Sequence, residues 1–525
     1  MSAAPRGLPR YDAIVIGSGF GGSIAALRLA SAGKSVLVLE RGRRYRPGEF
    51  PRDVRNVDAT LWDYPRRRHS LGLFDLRFFS GVGAVVASGV GGGSLIYAGI
   101  HIRPDPVVFE DPRWPRGIDR TALDPYYDRV AEALRVRPLP PEIGLPKRDA
   151  FHAAAAAAAR QVFDPDEAIA WTDSAGPDRG PCRLVAECEF GCQFGAKNTV
   201  DLTYLAEAER RGCEVSTGAQ VSHVEGGRDG YVVHYEEVPR GTLRRVGAAR
   251  VVLAAGTLGT NEILLRSRDQ FGTLPELSSA LGRGFSGNGD FLGSIQNSRI
   301  ELEPWHGPDV TSVIRYFDAA PEFTLAAPTF NRRVMEVLAA LGQADGRWLR
   351  PLAPILWPRL GNLLRWAFRR GLLSRPARFR GRNAGDPGRM TNLFAIGRDS
   401  AGGVLQLKRN RLDVAWSYER ENAALVERMK AAMAEVAAAY GGTYAPLVTW
   451  NAFRRIMTVH PLGGCRIGDS PRDGVVTPEG EVYGYPGLFV ADGSAVPCSI
   501  GFHPVMTICA LAERAADAAV SSFAA

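Results

Sequence analysis

Residues 12–22 read DAIVIGSGFGG, a short apolar run that passes directly into a glycine-rich turn. The residues that follow carry a helical pattern through Ala25, Ala26, Leu27 and Leu29. A second apolar run at 35–39 ends in Glu40. The order of these segments predicts a strand, a tight turn, a helix and a second strand, which is the start of a Rossmann-like α/β domain.

Each glycine of this turn has a separate task in a dinucleotide site. Gly17 permits the sharp turn, Gly19 lets a pyrophosphate approach the backbone, and Gly22 lets helix and strand pack closely. The free N–H groups at the helix start can bind the phosphates, and Glu40 can accept hydrogen bonds from ribose hydroxyls. Phe20, inside the same turn, completes the predicted cofactor-binding set. The motif fits FAD and NAD equally, and a glycine-rich turn in an unrelated α/β domain is the alternative.

Further glycine-rich segments extend the predicted site. The segment GVGGGSLIYAG at 89–99 offers accessible backbone suited to a flat ring system or its diphosphate, with Gly89, Gly92, Gly93 and Ser94 as candidates. A flexible loop is the alternative, but the apolar residues after Ser94 favour a packed one. The segment VVLAAGTLGT at 251–260 predicts another strand of the same domain, followed by a helix at 261–265.

Composition and length limit the classes of function. A chain of 525 residues exceeds what one core usually supports, which predicts two domains. The net charge of +8 says little about partners, because 64 basic residues are balanced by 56 acidic ones, and nothing else indicates nucleic acid. Residues 1–10 lack an apolar signal core, and no apolar run is long enough to span a bilayer. We therefore expect a soluble, cytoplasmic protein.

Taken together and in order, the motifs resemble those of the glucose-methanol-choline (GMC) oxidoreductases. Among these, the chain is similar to the bacterial cholesterol oxidases of the GMC type. The resemblance covers nearly the whole chain and is carried by GSGFGG with Glu40, GVGGGSLIYAG, GAKNT at 195–199, VVLAAGTLGT, HPLGGC at 460–465, GLFVADGS at 487–494 and GFHPVMTI at 501–508.

The resemblance implies an α/β protein, α+β overall, in which a Rossmann-like FAD-binding domain carries a sheet-based substrate cap. It assigns residues 1–110, 195–290 and 455–525 to the FAD domain, and 111–194 and 291–454 to the cap. It also implies that Val221 lies beside the adenine, that Asp492 and Gly493 contact the diphosphate region, and that His503 and Pro504 approach the flavin ring.

The implied reaction is the oxidation of an alcohol CH–OH to a carbonyl, with flavin N5 as the hydride acceptor. His460 and His503 are the candidate bases for the hydroxyl proton, because imidazole titrates near neutral pH. Cholesterol oxidases of this type commonly carry Asn where this chain has His503, which puts sterol specificity in doubt. A bulky apolar secondary alcohol, with a 3β-hydroxysteroid as the best candidate, is the leading hypothesis. No carboxylate base can be assigned in the cap.

Three cysteines suggest a different enzyme. Cys182, Cys188 and Cys192 are spaced as in GMC sugar dehydrogenases, where a small iron-sulfur cluster passes electrons to a partner. The alternatives are a disulfide with a spare thiol, or three buried thiols. A cluster would favour a sugar or polyol dehydrogenase that uses an electron carrier over an oxidase that uses O2.

Residues 349–383 interleave Arg with Trp, Phe and Leu and contain no acidic residue. Such a stretch can lie in a membrane interface, where it would help an enzyme collect an apolar alcohol. An ordinary cap segment with inward-facing aromatics is the alternative. A third function remains open from sequence, that of a flavin-loaded lipid-binding protein without turnover.

Overall fold

The computed structural model describes residues 8–53, 56–173, 176, 178–227, 229–342, 346–370 and 386–524. In chain order the strands are β1 Arg10–Ile16, β2 Val36–Glu40, β3 Phe74–Phe78, β4 Gly83–Ala87, β5 Ile100–His101, β6 Gln161–Phe163, β7 Asp166–Glu167, β8 Glu214–Thr217, β9 Ala219–Gly227, β10 Gly230–Glu237, β11 Thr242–Leu253, β12 Arg283–Phe285, β13 Phe291–Gln296, β14 Val313–Tyr316, β15 Phe323–Ala326, β16 Thr391–Gly397, β17 Gly403–Lys408, β18 Arg411–Ala415, β19 Thr443–Pro446, β20 Met457–Thr458 and β21 Leu488–Val490.

The α-helices vary from single turns to helices of 17 residues. In chain order they are α1 Phe20–Ser31, α2 Val57–Thr60, α3 Arg120–Ala133, α4 Pro146–Ala157, α5 Tyr204–Arg210, α6 Gly256–Leu265, α7 Arg332–Gly342, α8 Ala353–Leu356, α9 Leu360–Arg369, α10 Tyr418–Glu421, α11 Ala423–Ala439, α12 Val448–Phe453 and α13 Val505–Ser521. Within the ranges given above, none of these helices has the length and apolar character needed to cross a bilayer.

The nucleotide sheet has the strand order β8-β2-β1-β11-β10-β9, and β21 also pairs with β11. Strands β1, β2, β8, the end of β11 and β21 run parallel. Every residue of β2 is buried, as expected for a strand covered on both faces. The two predicted strands and the turn between them are confirmed. The helix predicted at 261–265 begins earlier, at Gly256, directly after β11.

The cap sheet is antiparallel and has the order β19-β13-β16-β15-β14-β6. Strand β16 is buried along its whole length, and α11 packs on the sheet through Leu425, Met429 and Met433. A mixed α/β fold with a second sheet is thus confirmed. One apolar cluster extends through residues of both sheets, including Val38 and Leu393. The domain boundaries given above therefore stay a prediction.

Candidate active site

One continuous cavity of about 530 Å³ connects the glycine-rich turn to the two candidate histidines. Its size is typical of small-molecule sites. We call the part of its wall formed by the loop before α1 and the end of β2 the nucleotide end, and the part formed by the loops around His460 and His503 the histidine end. The predicted site residues that line it are Gly17, Gly19, Phe20, Glu40, Gly92, Gly93, Val221, His460, Asp492, Gly493, His503 and Pro504.

Three predicted cofactor-binding residues do not line the cavity: Gly22, Gly89 and Ser94. A Cβ on Gly22 would stand 2.0 Å from the carbonyl oxygen of Gly17, so this glycine serves the packing of α1 on β1. Ser94 Oγ donates to the Gly91 carbonyl at 2.8 Å, and the Gly89 carbonyl accepts from Gly92 N–H at 2.8 Å. Ser94 and Gly89 thus shape the turn that presents Gly92 and Gly93 to the cavity.

The nucleotide end is a trough of bare backbone. A Cβ on Gly92 would stand 2.6 Å from the Cα of Gly19, so the two glycine-rich segments touch. A Cβ on Gly93 would meet its nearest neighbour only at 3.9 Å. Gly19 is the N-cap of α1, and no side chain in the described ranges caps this helix, which leaves its first N–H groups for a phosphate.

Glu40 is buried at the end of β2 and is held by backbone and hydroxyl donors. Its Oε2 accepts from Ser18 N–H at 3.1 Å and Ser18 Oγ–H at 2.6 Å, and its Oε1 accepts from Gly42 N–H at 2.8 Å. A carboxylate held this way keeps acceptor capacity for a ligand hydroxyl. The donors, the bare backbone and this acid together fit a dinucleotide such as FAD.

At the other end of the cavity, His460 is oriented by a buried acid. Its Nδ1 lies 2.9 Å from Asp290 Oδ1, and Asp290 Oδ2 accepts from Val459 N–H at 2.8 Å and from Thr458 Oγ–H at 2.9 Å. With Asp290 ionised, Nδ1 carries the ring proton and Nε2 keeps a lone pair. The sequence analysis does not identify Asp290. The only signal in the sequence is its position, as an acidic residue immediately before the apolar strand β13.

His503 differs from His460 in having no fixed partner. Its ring centroid lies 5.4 Å from that of His460, with the planes at 79°. Neither ring nitrogen has a hydrogen-bond partner among the described residues. Burial, assisted by His460, lowers the pKa of His503 well below its usual value, so this ring is neutral at pH 7. Both nitrogens are therefore available to a polar group of a molecule in the cavity.

The cap sheet reaches this pair through Phe394, on β16. Its ring stacks on His460 at 5.5 Å and 20°, and meets His503 edge-on at 6.3 Å and 82°. The surrounding wall of the cavity is apolar and includes Phe190, Leu292, Pro328, Phe330 and Val459. This end therefore suits an apolar molecule whose polar group faces two imidazoles.

Glu189 adds an unforeseen acid to the cavity wall. It lies between Cys188 and Cys192, and its N–H donates to Asp309 Oδ2 at 2.6 Å. Burial, and next the charge of Asp309, raise the pKa of Glu189 to about 8, so its carboxyl is neutral at pH 7. In the sequence this segment shows a cysteine motif, and nothing in it indicates that Glu189 faces the cavity.

The cysteine cluster receives no support as a metal site. Cys182, Cys188 and Cys192 form no disulfide with another described residue. Burial raises the pKa of Cys182 to about 12 and that of Cys188 well above its usual value, which favours neutral thiols. Across the described ranges, no group of three or more His, Cys, Asp or Glu residues is arranged to hold a metal ion.

Comparison with known proteins agrees with this geometry. Two family models described as GMC oxidoreductase match residues 11–276 and 406–512. A cholesterol oxidase of Mycobacterium tuberculosis is 30% identical over 554 residues, which cover 97% of this chain and 91% of the relative. A cholesterol oxidase of Acinetobacter baumannii is 29% identical over 555 residues, covering 96% and 93%.

A solved structure shares the fold. Pyridoxine 4-oxidase from Mesorbium loti superposes with a TM-score of 0.64 at 18% identity, covering 97% of this chain and 98% of the other. The chain belongs to the GMC oxidoreductases and is an FAD-dependent enzyme that oxidises the CH–OH group of an alcohol.

Proposed function

We propose that this enzyme oxidises a bulky, apolar secondary alcohol, with a 3β-hydroxysteroid as the preferred class, and that O2 takes up the electrons. The observation that carries the proposal is the cavity, in which a nucleotide trough leads to two imidazoles set in an apolar wall. Two relatives aligned over nearly the whole chain are named cholesterol oxidases, which supports both the substrate class and the acceptor.

The residues at the nucleotide end would hold FAD, and FAD when bound supplies the hydride acceptor. The N–H groups at the start of α1 would bind its diphosphate, together with the backbone at Gly92 and Gly93. Glu40 would accept from a ribose hydroxyl, and Val221 would lie against the adenine. Asp492 and Gly493 line the same cavity and would contact the diphosphate region.

The hydrogen bond to Asp290 separates the roles of the two histidines. His460 presents a Nε2 lone pair, and Asp290 stabilises the imidazolium that forms when this nitrogen takes the hydroxyl proton. His503 stays neutral because burial disfavours its charged form. It would hold the substrate oxygen with one ring nitrogen while the C–H bond breaks. Phe394 and its apolar neighbours keep water from this end.

An anaerobic screen tests the proposal. The yellow holoenzyme is mixed with a 3β-hydroxysteroid, its 3α epimer, a long-chain primary alcohol and a hexose, and the flavin absorbance is followed. We expect rapid bleaching with the 3β-hydroxysteroid alone, and formation of H2O2 when air is admitted. Bleaching by the hexose but not by the steroid would overturn the substrate class. Reoxidation only by an added dye would overturn the choice of O2.

We propose further that the enzyme is cytoplasmic and that it contacts membranes through the surface formed by residues 346–370. Trp348 and Trp366 are 75% and 57% exposed, and Leu352, Ile355 and Leu363 are exposed beside them. Arginines interleave with these side chains, which suits an anionic lipid surface. Residues 371–383 of the predicted membrane segment lie outside the described residues. Within the segment, Trp357 and Arg365 instead face inward and are buried.

Vesicle sedimentation tests this contact. Replacing Trp348 and Trp366 together by Ser should reduce binding to vesicles of phosphatidylglycerol and phosphatidylcholine at least fivefold. Leu243→Ser is the matched control, because Leu243 is 78% exposed on the nucleotide sheet. Equal binding by all three proteins would overturn the assignment of this surface.

A further inference from the structure

Lys197 is a buried ammonium with three acceptors. Its side chain is 1% exposed, and its Nζ donates to the carbonyl oxygens of Leu95 at 3.1 Å, Tyr97 at 2.7 Å and Cys188 at 2.6 Å. An ammonium has three N–H donors, whereas a neutral amine has two and would turn a lone pair toward one carbonyl. Burial lowers the pKa of Lys197, but this geometry accommodates the charged form.

The three carbonyls belong to the two segments that wall the cavity. Leu95 and Tyr97 lie in the glycine-rich segment, from which Tyr97 lines the cavity. Cys188 immediately precedes Glu189 and Phe190, which line it from the cap side. A single ammonium thus joins the wall beside the nucleotide trough to the wall of the apolar end.

The charge of Lys197 also lies close to the cavity. Its Nζ is 4.8 Å from the centroid of the Tyr97 ring, and that ring packs edge-on against Phe20 of the glycine-rich turn at 5.2 Å. Solvent screens such a buried charge little. Asp309 is the nearby carboxylate whose negative charge opposes the positive charge of Lys197, while Glu189 is neutral at pH 7.

We propose that Lys197 is a positioning residue that holds the two cavity walls together and gives the flavin site a fixed positive charge that favours flavin reduction. Bound FAD would supply the acceptor for the hydride, one proton and two electrons, that leaves the alcohol when its C–H bond breaks. The hydroxyl proton would go to His460, so the hydride acceptor would gain one negative charge. A fixed cation nearby stabilises that charge without reorganisation. The inference rests on FAD binding alone and holds whichever alcohol is the substrate.

A matched pair of buried lysines provides the test. Lys147 is also buried, and its Nζ donates to the Pro308 carbonyl at 2.5 Å and to Thr329 Oγ at 2.6 Å. Neither of these partners lines the cavity, whereas Tyr97, a partner of Lys197, does. Lys197→Met and Lys147→Met each remove one buried ammonium, so they should cost comparable stability. Lys197→Gln keeps donors without charge, and Lys197→Arg keeps the charge.

The four holoenzyme variants are equilibrated with a redox dye in the absence of substrate, and the flavin spectrum is recorded. At a fixed potential we expect the ratio of reduced to oxidised flavin to fall about tenfold in Lys197→Met and Lys197→Gln, as for the loss of one nearby charge. Lys147→Met and Lys197→Arg should stay within threefold of wild type.

Two results would overturn the proposal: a wild-type ratio in Lys197→Gln, or an equal fall in Lys147→Met. If Lys197→Met does not fold, the comparison of Gln with Arg at this position decides, since only one of them is charged. If Lys197→Gln and Lys197→Arg both lose FAD while Lys147→Met retains it, the positioning role is supported and the electrostatic role is rejected.

Discussion

The two ends of the cavity differ in what they are made of. At the nucleotide end, backbone segments at Gly19 and Gly92 touch and expose bare backbone to the cavity. At the histidine end, side chains from distant parts of the chain meet: Asp290, Phe394 and His460. Ligand binding at a site made of backbone depends on steric fit, whereas the function of a site made of side chains depends on hydrogen bonds and charge. Substitutions at the two ends should therefore fail differently.

The largest effect is expected at the nucleotide end. Gly22→Val should abolish flavin-loaded protein, because even a Cβ at Gly22 would stand 2.0 Å from the Gly17 carbonyl oxygen and force α1 away from β1. The measurement is the ratio of flavin to protein absorbance after purification. Gly33→Ala is the control: its added Cβ meets nothing within 4 Å, so only its φ of +72° costs stability, about 1 kcal/mol. A yellow Gly22→Val protein would contradict the packing role.

At the histidine end, His460→Ala should leave FAD bound but slow flavin reduction by roughly two to four decades, the usual worth of a positioned base. Anaerobic stopped-flow absorbance measures this rate. His234→Ala is a control, because His234 lies on β10 and does not line the cavity. A wild-type rate in His460→Ala would remove this imidazole from the mechanism.

Asp290→Asn tests the support of that base and should have a smaller effect. The amide can still accept from Nδ1–H, but it does not stabilise the imidazolium, so we expect reduction to slow by roughly ten- to a hundredfold. KM should change little, since Asp290 lies on the far side of the ring from the lone pair of Nε2. If KM rose and the rate of reduction did not change, Asp290 would serve substrate binding instead.

The smallest effect concerns pH. Because burial raises the pKa of Glu189 to about 8, its carboxyl is neutral below that pH and ionises above it. A charge in the apolar wall disfavours an apolar alcohol, so KM should rise several-fold between pH 7 and pH 9. Glu189→Gln should remove this rise, and Glu187→Gln, which alters an acid paired with Arg52, should not. A rise that persists in Glu189→Gln would assign it to another group.

The sequence allowed the nucleotide end to be predicted more fully than the histidine end, for a physical reason. The first strand, the turn and Glu40 are set by neighbouring residues, so a local pattern locates them, and the family and the FAD dependence are confirmed. Gly89 and Ser94 show the limit of this reasoning. A glycine-rich pattern reveals backbone freedom but not the direction in which the loop faces.

The partners at the histidine end could not be read in the same way. Asp290 and His460 come into contact only when β13 and β20 lie side by side in the fold. Nothing in the sequence around either residue indicates that the other is its partner. Glu189 faces the cavity because Asp309, on another segment, fixes its backbone. For the cysteines, suitable spacing was present, but spacing does not decide whether three sulfur atoms converge.

Phe394 makes the arrangement of the two imidazoles depend on the cap sheet. Its ring contacts both imidazoles, yet it belongs to a strand buried in the middle of the cap sheet. A small opening of that sheet would remove this contact and free the ring of His503, which has no hydrogen-bond partner among the described residues, while the nucleotide sheet kept its structure. Heat or denaturant should therefore inactivate the enzyme before flavin is released. Loss of turnover would then report on the cap sheet, and loss of bound flavin on the nucleotide sheet.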